Sequence, residues 1–322
     1  MQEPPLHKAD AETFEDLVIL VGRTTGRVAT AFELLAQSQA TDAYRVTTRE
    51  GDGLIVRVQK RGVTGFAEEA WAMRRCREVG LPVPEVYGVS RVGSDAPRDA
   101  MVMAAARGHP LAEVMPSLSR AELTRVFAEV GEFLRKLHGI SVARFGWLHE
   151  GESVANEAGT DWTAFARTLL ASRQEDGRAL EQAGLTRTEV EELLDIASRL
   201  QDLSYTRPVL CHGDLGADHL FVDNNLNLVD VIDFGMAQGC APALDVGVLL
   251  MFHPDVELAW LAEGYGGGPL TGEDFGREVL LHQVNVGMSY LADAMRRGNE
   301  SFKDIAVFGL RSWLERWREL HV

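Results

Sequence analysis

Cysteine is scarce in this 322-residue chain: Cys76, Cys211 and Cys240 are odd in number, widely spaced and set in no Cys-x-x-Cys or Cys/His pattern. That excludes a disulfide framework and a structural zinc site as expectations. Cations are short too, with 32 Lys and Arg against 48 Asp and Glu, leaving −16 with His neutral. Neutralising a phosphate backbone needs clustered cations, so no nucleic-acid partner is expected. The acidic surplus suits a cationic small molecule. Long apolar runs are missing: stretches such as Val246 to Phe252 fall far short of the roughly 18 residues of a membrane span. Met1-Gln2-Glu3-Pro4-Pro5 sets acid and prolines where a signal peptide has basic and then apolar residues. The expectation is a soluble, cytoplasmic protein with no membrane partner. Apolar residues at 46% and charged residues at 25% are ordinary globular proportions, which excludes disorder as the dominant state.

The chain changes texture along its length. Residues 10–37 read as helical, with Phe14, Leu17, Val18 and Leu20 as an early apolar face. Residues 43–48 and 54–58 then read as two strands joined by a turn at Glu50-Gly51-Asp52-Gly53. A helix is predicted over 66–79, stopped by Leu81-Pro82-Val83-Pro84, and a short strand at 101–103. From residue 118 the period turns helical, through Leu123, Phe127, Val130, Phe133, Leu134 and Leu137. More helices are predicted over 161–173, 187–201, 244–252, 255–264, 273–297 and 302–319. A β-rich island at 208–233, turning at Asn224-Asn225, interrupts them. A small β-containing lobe over 1–104 therefore precedes a larger helical lobe over 105–322. The glycine-rich stretch Gly264 to Gly268 reads as a flexible connector, since no strand–helix unit follows it.

The informative stretch is Cys211-His212-Gly213-Asp214-Leu215-Gly216-Ala217-Asp218-His219, followed by Ile232-Asp233-Phe234-Gly235. A strand delivers Asp214 into a loop, His219 comes five residues later, and a hairpin delivers Asp233 just before a glycine. Strands side by side would set all three around one cleft, where one carboxylate orients a hydroxyl and the others hold a divalent ion on a nucleotide.

His-Gly-Asp-Leu with a ligand five residues after the Asp, then Asp-Phe-Gly, resembles the catalytic and metal-binding motifs of kinases. With Ala241-Pro242-Ala243-Leu244-Asp245-Val246 it is similar to the aminoglycoside phosphotransferase and choline kinase-like superfamily. Leu54-Ile55-Val56-Arg57-Val58, Glu69-Ala70, Gly80-Leu81-Pro82-Val83-Pro84, Leu137-His138-Gly139-Ile140 and Phe145-Gly146 extend the likeness over most of the chain. Trp162 and the helix ending Arg297-Gly298-Asn299 resemble the hygromycin-B kinases in particular. The resemblance implies an α+β, bilobal protein-kinase-like fold and phosphoryl transfer from ATP or GTP, with Mg²⁺, to a substrate hydroxyl.

By position it implies Asp214 as catalytic base and Asp233 as Mg²⁺ ligand. His219 stands where the family usually has Asn, although Mg²⁺ prefers oxygen; some antibiotic kinases are similar in having His there. Arg57 replaces the commoner phosphate-contacting Lys, with Lys60 as the alternative, and Glu69 is implied as its partner. Ala104 to Ala106 would be the hinge that reads the base, and Ser38-Gln39-Ala40-Thr41 takes the place of the Gly-rich loop. His212 and Asp245 are expected to support the loop, His138 to be packed and hydrogen-bonded, and Cys211 to be a small buried strand residue. Asp223 and Asp230 fit turn and strand-end roles, and Asp218 is given no role.

No Ala-Pro-Glu follows Asp233-Phe234-Gly235, which disfavours a protein kinase. An aminoglycoside acceptor such as hygromycin B leads, with Asp255, Glu257, Glu263, Glu273 and Asp274 as acids for its ammonium groups. The same residues also read as solvated helix faces. A macrolide kinase, a metabolic kinase for choline, homoserine or a sugar, and a non-catalytic binding protein on a kinase fold are the alternatives.

Overall fold

The computed structural model describes residues 10–37, 40–51, 53–60, 65–93, 97–149, 153–154, 161–267, 270, 272 and 274–320. Ser38, Gln39, Asp52, Gly268, Glu273 and Met1 to Pro5, named above, lie outside them. The N-terminal lobe runs α1 (Asp10–Thr25), β1 (Ala29–Gln37), β2 (Thr41–Thr48), β3 (Gly53–Gln59), α2 (Phe66–Glu78), β4 (Val86–Val92) and β5 (Arg98–Ala104). Its strands form one antiparallel sheet in the order β1-β2-β3-β5-β4. Alternation along β3 sends Leu54, Val56 and Val58 into a core with Leu17, Leu20 and Val21 of α1. Ile55 and Arg57 therefore face the opposite side, where α2 packs.

The helix expected over 10–37 is corrected here. It ends at Thr25, where Gly26 takes φ 72° and the Thr24 and Thr25 hydroxyls turn back onto the Leu20 and Val21 carbonyls at 2.8 and 2.7 Å. Residues 29–37 form β1, pairing Phe32 with Val46 and Leu34 with Tyr44. Nearly every β1 side chain is exposed, so no alternation was there to read.

After β5 the chain is pinned to the second lobe. Asp230 accepts from the Arg107 amide, Nε and Nη2 at 2.7, 2.9 and 2.9 Å, and Val231 N–H donates to the Pro82 carbonyl at 2.8 Å. That lobe contains β6 (His109–Pro110), α3 (Leu111–Val114), α4 (Arg120–Leu137), β7 (Gly146–His149), β8 (Ser153–Val154), α5 (Trp162–Gln182) and α6 (Arg187–Ser198). It continues through β9 (Val209–Cys211), β10 (Leu220–Val222), β11 (Leu228–Val231), β12 (Gln238–Cys240), α7 (Pro242–Phe252), α8 (Leu258–Tyr265), α9 (Phe275–Arg297) and α10 (Glu300–Glu319). Ser119 and Glu122 close a capping box at the start of α4. The buried face of α4 (Val126, Phe127, Val130, Phe133, Leu134 and Leu137) joins the two lobes' shared core. Gly264 is not in a connector: it lies inside α8, so close to α4 that a Cβ would overlap the Ala128 carbonyl. Helix α8 ends one residue later, at Tyr265, and Gly266 caps it with φ 78°.

Candidate active site

Strand β9 delivers His212-Gly213-Asp214 into the cleft, and a buried carboxylate holds that turn. Asp245, in the first turn of α7, accepts from His212 N–H at 3.0 Å and Gly213 N–H at 2.8 Å. Burial pushes the Asp245 pKa up, but its bonds to His138 and to the Gly213 amide outweigh that and hold it below the ordinary value. His138 joins the group through Nε2 at 3.0 Å and meets the Tyr265 hydroxyl through Nδ1 at 3.0 Å. The His212 ring, its pKa lowered by burial, lies 2.9 Å from the Ile232 carbonyl through Nε2, and its Nδ1 accepts from Asp214 N–H at 3.3 Å. These groups support the loop without facing the cleft. Cys211 is buried, with its thiol pushed far up by burial.

Hairpin β10–β11 ends at Val231, and after Ile232 comes Asp233 with φ 65° and ψ 59°. Left-handed backbone is rare for non-glycine residues, and Asp tolerates it better than most. Gly213 sits against this segment with φ 81°, and a Cβ there would overlap the Met236 carbonyl. Both motifs are thus locked face to face.

Arg57 bridges Glu69 of α2 and Asp233, the latter through Nη2 to Oδ1 at 3.1 Å. Burial lowers the Arg57 pKa, but the two carboxylates outweigh it and raise it overall. At Glu69 burial prevails over Arg57, and the pKa is pushed up to about 7. At Asp233 burial loses to Arg57 and His219, and the pKa falls. Lys60, the alternative cation, instead pairs with Asp42.

The His219 Nδ1 lies 2.7 Å from the Asp214 carbonyl, which fixes Nδ1–H as donor and leaves Nε2 for the cleft. That Nε2 stands 3.7 Å from Asp233 Oδ2 and 3.5 Å from Asp218 Oδ2. Burial opposes protonation of the ring, while Asp233 and Asp218 favour it and raise its pKa. A carboxylate, an imidazole with its tautomer set by a backbone carbonyl and a second carboxylate beside them are donors suited to a divalent cation. The Arg57 guanidinium on Asp233 already shows that this carboxylate holds positive charge. Asp233 and His219 fit a metal, and Asp218, which the sequence left without a role, stands next to them.

A cavity of about 400 Å³ lies here, with Ile55, Met103, Ala105, Ala106, Phe221 and Ile232 among its apolar lining and Thr41, Arg45, Arg57, His219 and Asp233 as its polar lining. Ala105 and Ala106 face it. Ala104 is still within β5, and its N–H donates to the Glu85 carbonyl at 2.8 Å. A neighbouring cavity of about 210 Å³ brings Asp214 together with Glu69, Arg57 and Asp233.

Sequence reasoning missed Tyr290, in the middle of α9, whose hydroxyl donates to Asp214 Oδ1 at 2.8 Å. Nothing in its spacing separates it from a core aromatic. Of the acids named for the acceptor, Glu257 pairs with Arg120 at 2.5 Å, and Glu263 borders a shallow surface hollow with Leu258 and Ala262. Asp223 caps its own turn by accepting from the Asn225 and Asn227 amides, and Asp230 pins Arg107.

A model of the phosphotransferase enzyme family matches residues 32–279. No curated protein matches the sequence. Among solved structures, a thermostable mutant of aminoglycoside phosphotransferase APH(4)-Ia, in ternary complex with AMP-PNP and hygromycin B, superposes with a TM-score of 0.72. It is 18% identical, over 93% of this chain and 98% of its own. The GDP complex of aminoglycoside 2'-phosphotransferase-IIIa gives 0.65 at 17% identity, over 94% of this chain and 99% of its own. A GDP and kanamycin complex of APH(2")-IIIa gives 0.65 at 19%, over 93% and 98%. At such identities these likenesses establish the bilobal kinase-like fold.

Proposed function

Because this chain belongs to the phosphotransferase enzyme family, we propose that it moves the γ-phosphate of ATP or GTP onto a hydroxyl of an aminoglycoside-class antibiotic. The observation that carries this reading is the meeting of Asp214, Asp233 and His219 where two neighbouring cavities adjoin: Asp233 lines both, His219 the larger and mostly apolar one, and Asp214 the smaller. The apolar part, past Ala105 and Ala106, suits a nucleobase, which puts the phosphates at Arg57 and Asp233. Asp233 and His219 would hold Mg²⁺, which when bound would neutralise phosphate charge. Asp214 then faces the acceptor: its carboxylate orients the hydroxyl toward phosphorus and takes its proton as the new P–O bond forms. Arg57, kept charged by Glu69 and Asp233, steadies the phosphates.

An aminoglycoside is favoured by the −16 charge and by the hygromycin B and kanamycin named with the similar structures. One observation favours a macrolide as the second reading. Asp214 is bonded by Tyr290, whose ring packs with Phe252 and Phe302, and such an aromatic group suits a large apolar ring. The deciding test incubates the protein and Mg²⁺ with ATP or GTP against hygromycin B, other aminoglycosides, macrolides, choline, homoserine and sugars, reading products by mass spectrometry. A phosphorylated aminoglycoside is expected. Phosphorylation of macrolides alone would overturn the aminoglycoside reading, and no product with any compound would favour a binding protein on a kinase fold.

A further inference from the structure

The backbone and the side chain of Asp214 are held by different parts of the molecule. Two imidazoles fix the backbone: His212 Nδ1 accepts from the Asp214 amide at 3.3 Å, and His219 Nδ1 meets its carbonyl at 2.7 Å. Neither restrains rotation of the carboxylate about the side-chain bonds. Among the described residues, the one side chain hydrogen-bonded to that carboxylate is Tyr290, whose O–H donates to Oδ1 at 2.8 Å. Its ring is set by two others, Phe252 at 6.0 Å between centroids and Phe302 edge-on at 6.1 Å. Burial and the Asp214 charge push the phenol pKa up, so Tyr290 remains a neutral donor.

We infer that Tyr290 is a positioning residue for phosphoryl transfer: by engaging Oδ1 it fixes the Asp214 carboxylate and leaves Oδ2 for the acceptor hydroxyl. This rests on Asp214 being the base. The same element supports both halves of the arrangement. Helix α7 carries in its first turn the Asp245 that holds the His212-Gly213 turn and ends at the Phe252 that backs the Tyr290 ring. His253, just beyond, accepts from the Ala217 amide at 2.9 Å. Backbone and carboxylate of the loop are thereby set in register.

Tyr290→Phe removes the hydroxyl and keeps the ring between Phe252 and Phe302. Rates are measured with the first panel compound found to be phosphorylated, or as acceptor-free hydrolysis of ATP and GTP if none is. Losing a hydrogen bond to a charged group corresponds to a fall in kcat of roughly 10–100-fold. Acceptor KM, nucleotide Kd and Tm are expected to stay near wild type, whereas a merely structural role would move Tm and nucleotide Kd together with the rate. In the Asp214→Asn background the same substitution is expected to cost nothing further, because the phenol acts through that carboxylate. Phe252→Leu, which keeps the hydroxyl but loosens the ring, is expected to lower kcat less, in the same direction, and stands in if Tyr290→Phe does not fold. Wild-type kcat in Tyr290→Phe beside an inactive Asp214→Asn overturns this inference alone, as do losses that multiply in the double variant. Wild-type kcat in Asp214→Asn overturns the reading of the base as well.

Discussion

Arg57 serves two carboxylates with one guanidinium, through two separate nitrogens that a single ammonium does not have. Its planar fork reaches Glu69 with one nitrogen and Asp233 with the other. Arg57→Lys keeps the charge but releases one partner, so nucleotide affinity is expected to fall about 10-fold, the scale of one charge-assisted hydrogen bond. Calorimetry with Mg²⁺–nucleotide measures this, and unchanged affinity would leave Arg57 with no part in holding phosphates. Asp214→Asn keeps size and most hydrogen bonding but loses the charge, so transfer is expected to drop by about 10²–10⁴-fold with nucleotide affinity intact. Turnover within threefold of wild type would remove Asp214 from the role of base. Asp233→Ala is expected to weaken nucleotide binding and to flatten its Mg²⁺ dependence. Titrations with and without Mg²⁺ separate that outcome from a general loss of fold.

Helix α6 is tied to α10 through Glu189, which closes a capping box with Thr186 and also binds Arg311 Nε at 2.8 Å. The Arg311 bond, aided by the Thr186 amide, holds the Glu189 pKa at about 2, below its ordinary 4.5. A depressed carboxylate stabilises the fold above its unfolded pKa and loses that contribution as pH falls toward the folded one. Glu189→Gln is therefore expected to lower stability by about 1 kcal/mol, the scale of a cap. The gap to wild type in denaturant melts should be full at pH 6 and shrink between about pH 4.5 and pH 2; a constant gap would mean the charge adds nothing. The legible elements were those with a period and a stop, such as α2 before Pro82 or α4 behind Ser119. Strand β1 was illegible because its side chains meet solvent on both faces. Gly264 misled because tolerance of a neighbouring helix backbone and tolerance of a turn call for the same residue. The loop from His212 to His219 could be read as one cluster because its residues are close in sequence; Tyr290 could not be added to it, because it reaches Asp214 across 76 positions.

Net charge belongs to the molecule as a whole, and so does its test. An aminoglycoside acceptor carries several ammonium groups, so its KM is expected to rise steeply between low salt and about 0.5 M, as the Debye length shrinks from roughly 30 Å at 0.01 M toward 3 Å at 1 M. A macrolide, held chiefly by burial, gives a shallow response, and a flat profile with any aminoglycoside would deny the −16 a part in recognition. Chain order adds something that no single contact does. The match to the phosphotransferase family ends at residue 279, while Tyr290, which bonds Asp214, and Phe302, which packs edge-on against its ring, come after it. The residues proposed to hold phosphate thus come first in the chain, and the aromatic support proposed for Asp214 comes partly after them, in α9 and α10. A single crossover near the start of α9 would exchange Tyr290 and Phe302, and with them the bond that holds the Asp214 carboxylate, in one step. Descendants of such an exchange would inherit an intact phosphate grip together with an untried palate.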